Sequence, residues 1–177
     1  MGELKKLIAC LKELGFKPKV SSFQDRLVIQ KTTCLLEIMG FKLGYGFSLY
    51  VRGPYSPSLA DDVYNCTRQI QELNTGFALS EGEKKKLVKL AQISDNLNAK
   101  MLEITATYAY LWKQLGKESK EAMIILKRMK PFYSEAEIAV GVSRAKELLY
   151  VPTEREIREM KEEFADFERA SLSDMKD

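Results

Sequence analysis

The side chains best equipped to act on another molecule lie in two stretches of this sequence. The first is Leu49-Tyr50-Val51-Arg52-Gly53-Pro54-Tyr55-Ser56-Pro57-Ser58-Leu59, a run with two tyrosines, an arginine, a glycine and two prolines. Arg52 offers a planar guanidinium that can fork onto a carboxylate or phosphate. Tyr50 and Tyr55 each join an apolar ring to a polar tip, a combination favoured at interfaces. The second stretch is Arg26, Gln30, Thr33 and Glu37, spaced i, i+4, i+7 and i+11 and therefore on one helix face. That stripe could line a groove opposite the Arg52–Tyr55 corner. The commoner arrangement, and the one expected here, is a solvated helix side. The corner itself reads equally as a binding loop or as a rigid strand-to-helix turn whose tyrosines seal the core.

Neither stretch holds a reactive centre. The chain contains no histidine, which removes the usual general base, the Ser–His and Cys–His routes to a nucleophile, and the commonest transition-metal ligand. Cys10, Cys34 and Cys66 are widely separated, lack CxxC spacing and sit among apolar neighbours. Buried, inert thiols are expected rather than disulfides or zinc ligands. Asp61-Asp62 and Glu162-Glu163 have no partners at metal-ligand spacing. The expectation is a non-enzymatic binding protein without cofactor or metal.

At 177 residues, 45% hydrophobic and 30% charged, the chain suits one soluble domain able to bury a core. No apolar run approaches a membrane span and the N-terminus shows no secretory cleavage pattern, so a cytosolic location is expected. The net charge of +3 is too small to imply nucleic acid by itself. Its distribution is uneven: residues 1–60 carry nine Lys/Arg against four Asp/Glu, and residues 151–177 five against nine. A basic front half and an acidic tail could engage each other or a partner. The alternative function is a nucleic-acid-binding transcriptional regulator using the basic N-terminal half or the helix–turn–helix outline over 119–150, with Lys84-Lys85-Lys86 and Lys127-Arg128-x-Lys130 as the basic clusters. The turn Lys130-Pro131-Phe132-Tyr133 lacks glycine, however, and the following helix mixes Glu135, Glu137 and Glu147 with Arg144 and Lys146, a poor face for phosphates.

The periodicity that must position these residues is helical almost throughout. Leu4, Leu7, Ile8, Leu11 and Leu14 form one apolar face stopped by Gly15. A second helix begins near Ser22 and ends at Met39-Gly40. Ser48–Val51 is β-prone. Ser56 and Pro57 start a third helix whose face runs Leu59, Val63, Cys66, Ile70, Leu73. Capping boxes at Ser80/Glu83, Ser134/Glu137 and Thr153/Glu156 mark later helices, and two more are expected around 99–115 and 119–129. The prediction is a mainly-α, single compact domain of about eight helices over 1–150, with at most one short strand or hairpin. An amphipathic helix in 151–177, carrying Ile157, Met160, Phe164 and Phe167, is expected to pack on the domain or on a second copy as a homodimer.

The pattern Arg26-x-x-Ile29-Gln30-Lys31-x-x-x-Leu35, followed by Phe47-x-x-Tyr50-x-x-Gly53-Pro54-Tyr55-Ser56-x-x-Leu59, resembles the YwgA-like proteins of bacteria and archaea. More distantly it is similar to the Panacea domain, the SocA-like antitoxin family. The resemblance covers roughly residues 20–75, with a weaker second match at Lys130-Pro131-Phe132-Tyr133-Ser134. Thr32 and Cys34 stand where the pattern more often has leucine and tyrosine. The resemblance implies a mostly helical domain whose role is binding. SocA-like members neutralise toxins, in some cases by delivering them to a protease, and other members have no known activity. It carries over Arg26, Gln30, Lys31, Tyr50, Gly53 and Pro54. With Arg52 and Tyr55 these make the candidate binding surface, and the expected partner is a toxin or other regulatory protein.

Overall fold

The computed structural model describes residues 3–158 and 161–162. Five of its helices, those capped by Ser22, Ser56, Ser80, Asn98 and Ser134, start where a side chain takes up a free backbone N–H of the first turn. The first, α1 (Leu4–Glu13), buries Leu7, Ile8 and Leu11. Ser22 accepts from the Asp25 backbone N–H to open α2 (Phe23–Ile38). A two-stranded antiparallel hairpin follows, β1 (Ser48–Tyr50) with β2 (Gly53–Tyr55), Tyr50 facing Gly53. Ser56 accepts from Leu59 N–H and Pro57 occupies the first position of α3 (Pro57–Asn65). Then come α4 (Thr67–Gln71), α5 (Glu81–Ile93), α6 (Ala99–Ala109), a π-helical segment (Tyr110–Gln114), α7 (Ser119–Met129) and α8 (Glu135–Leu149). Both capping boxes at Ser80 and Ser134 are closed in each direction, and Thr153 with Glu156 forms the third. The fold is mainly α, and the hairpin is the only strand pair among the described residues.

The centre of the molecule is α6, whose residues Leu102–Ala109 are all buried. It packs against α2 on one side and α8 on the other. The α8 contact is close because residue 141 is glycine: a Cβ there would overlap Ile104. One apolar cluster runs through α1, α2, α5, α6, α7 and α8.

Three expectations need correction. The helix expected from Ser56 through Leu73 is two helices, because Cys66 leaves helical geometry (φ −113°, ψ 29°) and Thr67 Oγ1 bonds back to Val63 O and Tyr64 O. The run over 99–115 changes pitch at Tyr110, where the π segment inserts an extra residue. That change turns the Tyr110 hydroxyl onto Phe47 O at 2.7 Å, tying α6 to the loop before the hairpin. Finally, Cys10 and Cys34 are buried, with thiols pushed up to about 12 by burial, but Cys66 is only half-buried at the α3–α4 break. Of the expected C-terminal helix, Glu154–Arg158 are helical and Ile157 is partly exposed. Met160, Phe164 and Phe167 lie outside the described residues. No helix among the described residues is long and apolar enough to cross a membrane.

Candidate functional site

The corner at residues 50–56 is fixed from behind by side chains of α2 and α6. Gln30 Nε2 donates to Ser56 O at 3.0 Å while Ser56 N–H donates to Gln30 Oε1 at 2.9 Å, so one amide satisfies both backbone groups where β2 meets α3. Lys31 Nζ donates to Pro54 O at 2.7 Å. In the hairpin turn the positive φ (+87°) falls on Gly53. A Cβ at Gly53 would overlap Thr107 Oγ1 of α6, so only glycine allows both the backbone angle and the contact.

The helix stripe is therefore not a solvated side. Gln30 and Thr33 are buried. Arg26 donates to Val20 O (2.7 Å) and Ser21 O (2.9 Å), Thr33 to Ile29 O (2.7 Å), and Glu37 accepts from Tyr45 N–H (2.8 Å). Arg26, Gln30 and Glu37 each hold a different loop by its backbone.

Under the hairpin lies a buried charge cluster. Glu103 of α6 is paired with Lys130, at the end of α7, and Lys130 Nζ also donates to Val51 O at 3.3 Å. The Lys130 side chain is fully enclosed. Arg52 approaches the other Glu103 oxygen at 3.8 Å. Burial pushes the Lys31 amine down to about 8; Glu103 opposes that shift and Lys130 and Arg52 add to it. Tyr133 is pushed up to about 12 by burial, with the Glu103 carboxylate adding to it.

In front of this frame is a groove of about 410 Å³ between the hairpin, α2 and α3. Seven of the eight residues proposed from sequence line it: Arg26, Gln30, Lys31, Tyr50, Arg52, Gly53 and Tyr55. Pro54 is buried behind it and serves through its carbonyl. Tyr50 and Tyr55 meet edge to face, centroids 5.4 Å apart, and do not seal the core: Tyr50 is 51% exposed. Sequence reasoning missed two rim aromatics, Phe23 (56% exposed) and Tyr64 (58%). They sandwich the cations, with Arg52 5.1 Å from the Phe23 centroid and Arg26 5.7 Å from that of Tyr64. It also missed Glu103, whose signal was a lone carboxylate between Leu102 and Ile104, and Thr107.

The basic clusters are placed differently. Lys127 pairs with Glu135 at 3.0 Å and Lys84 with Glu81 at 2.9 Å, Lys86 donates to Met39 O, and Lys130 is inside the protein. No protein-family model, curated protein or solved structure matches the chain.

Proposed function

We propose that the protein is a non-enzymatic binding module with a regulatory role, whose partner protein seats in the groove between the 50–56 corner and α2. The observation that carries this reading is a pre-formed groove rimmed by exposed Phe23, Tyr50, Tyr55 and Tyr64 beside Arg26 and Arg52. Aromatic residues and arginine are the types enriched where proteins meet, and a rigid frame lowers the ordering cost of binding. The corner is held by hydrogen bonds from Gln30, Lys31 and Lys130, and its Gly53 lies close against Thr107. An antitoxin-like role in a bacterial or archaeal cytosol is in keeping with the YwgA- and Panacea-like pattern of residues 20–75.

The test is affinity capture from the native host with wild-type protein and with the Arg52→Ala/Tyr55→Ala double variant. Both side chains are at least partly exposed, so the variant retains the fold, checked by circular dichroism. Loss of a specific partner from the variant supports the reading. Identical partner sets overturn it.

A further inference from the structure

The groove carries an excess of positive charge. Among the described residues its lining includes Arg26, Lys31 and Arg52 and not one carboxylate. Behind it, Glu103 is the single described carboxylate facing Lys31, Lys130 and Arg52. Of the acids nearest in sequence, Asp25 accepts from Lys19 N–H and Ser22 Oγ, Asp62 accepts from the Tyr45 hydroxyl, and Asp61 is exposed outside the groove lining. Lys31 and Arg26 donate to neutral carbonyls, and Lys31 shares its one facing carboxylate, Glu103, with Lys130 and Arg52. A buried or half-buried positive excess is unfavourable unless an anion supplies the missing charge.

Shape narrows the anion. The guanidinium groups of Arg52 and Arg26 are held against aromatic rings, which leaves the edges of the Arg52 plane suited to forked contact with a carboxylate. The same holds for the Nε–Nη2 edge of Arg26, whose Nη1 already donates to Val20 O and Ser21 O. Among the described residues Arg52 makes no hydrogen bond at all; its only polar contact is the 3.8 Å approach to Glu103. Leu27, Val63 and the four rim aromatics provide an apolar bed between the two arginines. A nucleic-acid strand would use the positive charge but needs a run of unpaired cations along a track, and a bare phosphate would leave the apolar bed uncovered. Several surface lysines are instead paired with acids, as in Lys127–Glu135, Lys100–Glu137 and Lys117–Glu121.

Resting on the protein-binding reading above, we propose that the groove receives an acidic, hydrophobically anchored segment of the partner: Asp or Glu carboxylates on Arg52 and Arg26, flanking an aromatic or aliphatic side chain laid on the Phe23–Tyr64 bed.

The test is selection of displayed random linear peptides on the full-length protein, with counter-selection on Arg52→Gln and, separately, Tyr50→Ala. Both variants alter exposed side chains, and their melting curves are compared with wild type. Enriched peptides are expected to place Asp or Glu within a few residues of Phe, Tyr, Leu or Ile. A synthetic peptide from that pool should lose at least about tenfold in affinity on Arg52→Gln, and again when its acids become Asn or Gln. Its affinity should also fall as salt rises. Groove-dependent peptides that are neutral or basic overturn the acidic segment and leave the protein-binding reading standing. No groove-dependent peptide at all overturns both. Displacement of the selected peptide by single-stranded oligothymidylate at equal concentration reassigns the groove to nucleic acid. Peptides that match only the chain's own residues 163–177 overturn an external partner.

Discussion

Gln30 on α2 hydrogen-bonds both backbone groups of Ser56, at 2.9 and 3.0 Å, as a neighbouring strand would. This pairing sets the angle at which the hairpin gives way to α3, and thereby the position of Tyr50 and Tyr55 on the groove rim. Replacing Gln30 by Leu fills the space but leaves the buried Ser56 N–H without a partner, while Ser56 O keeps the bond it accepts from Ala60 N–H at 3.1 Å. The expected loss is about 1–3 kcal/mol, read from urea denaturation. A loss well below about 1 kcal/mol would show that water re-satisfies the Ser56 N–H.

Glu103 is the hub of the buried charges, and its removal should be far costlier than removal of the pair. Glu103→Gln leaves Lys130 and Lys31 enclosed without an anion, with an expected loss of about 3–5 kcal/mol. Glu103→Leu with Lys130→Met replaces both charges by apolar groups and should recover most of that loss. Urea midpoints of the three proteins decide the matter; equal destabilisation of single and double variants would mean that Lys130 acts mainly as the clamp on Val51 O.

Helix starts and the two halves of the groove were legible in the sequence because both depend on local chemistry. A serine three residues before a glutamate announces a cap, and Gly53-Pro54 with Ser56 announces a corner. Burial was not legible, since it is a property of what packs across the chain. Gln30 and Lys31 look like surface residues, and Lys130 looks like part of a basic patch, until α6 and the hairpin close over them. Glu103 and Lys130 are 27 positions apart and share no periodicity. The break at Cys66 was hidden for a similar reason: the apolar stripe continues in register through it, and the Thr67 hydroxyl that ends α3 is a common helix residue.

Gly53 and Thr107 should show strong energetic coupling. Gly53→Ala forces an alanine to φ +87° and drives its Cβ into Thr107. The two penalties together are expected to cost about 2–4 kcal/mol. Thr107→Ala removes the overlapping hydroxyl at the cost of its bond to Glu103 O. In the double variant the loss should therefore be at least about 1 kcal/mol smaller than the sum of the singles. Strict additivity would indicate that the backbone angle alone selects glycine.

Thr32 is fully buried and its Oγ1 has no hydrogen-bond partner among the described residues. Thr32→Val keeps the shape and removes the stranded hydroxyl. The variant should be more stable by about 1 kcal/mol or somewhat more, measured by urea or thermal unfolding. A neutral or destabilising result would place a bound water on that hydroxyl.

The Lys31 amine makes stability depend on pH in an unusual direction. Its ordinary value is 10.5, and burial brings it to about 8 in the folded protein. Below about pH 8 it is charged in both states and the cost of enclosing the charge is fully present. Between about 8 and 10.5 the unfolded chain holds this proton and the folded protein has lost it, so the contribution to stability rises with pH. Cys10 and Cys34 act oppositely, since their thiols are raised from 9.0 to about 12 and favour the unfolded state as pH climbs past 9. The two effects separate by difference. Relative to Lys31→Met, which retains both cysteines, wild-type stability should gain up to about 3 kcal/mol between pH 8 and 10.5. Urea midpoints at successive pH values give that difference, and the 13Cε resonance of Lys31 should titrate near pH 8. In Glu103→Gln the midpoint should fall further, because the one carboxylate favouring the charged amine is gone. A Lys31 midpoint near 10.5, with a flat stability difference, would show that water reaches the amine in spite of the hairpin above it.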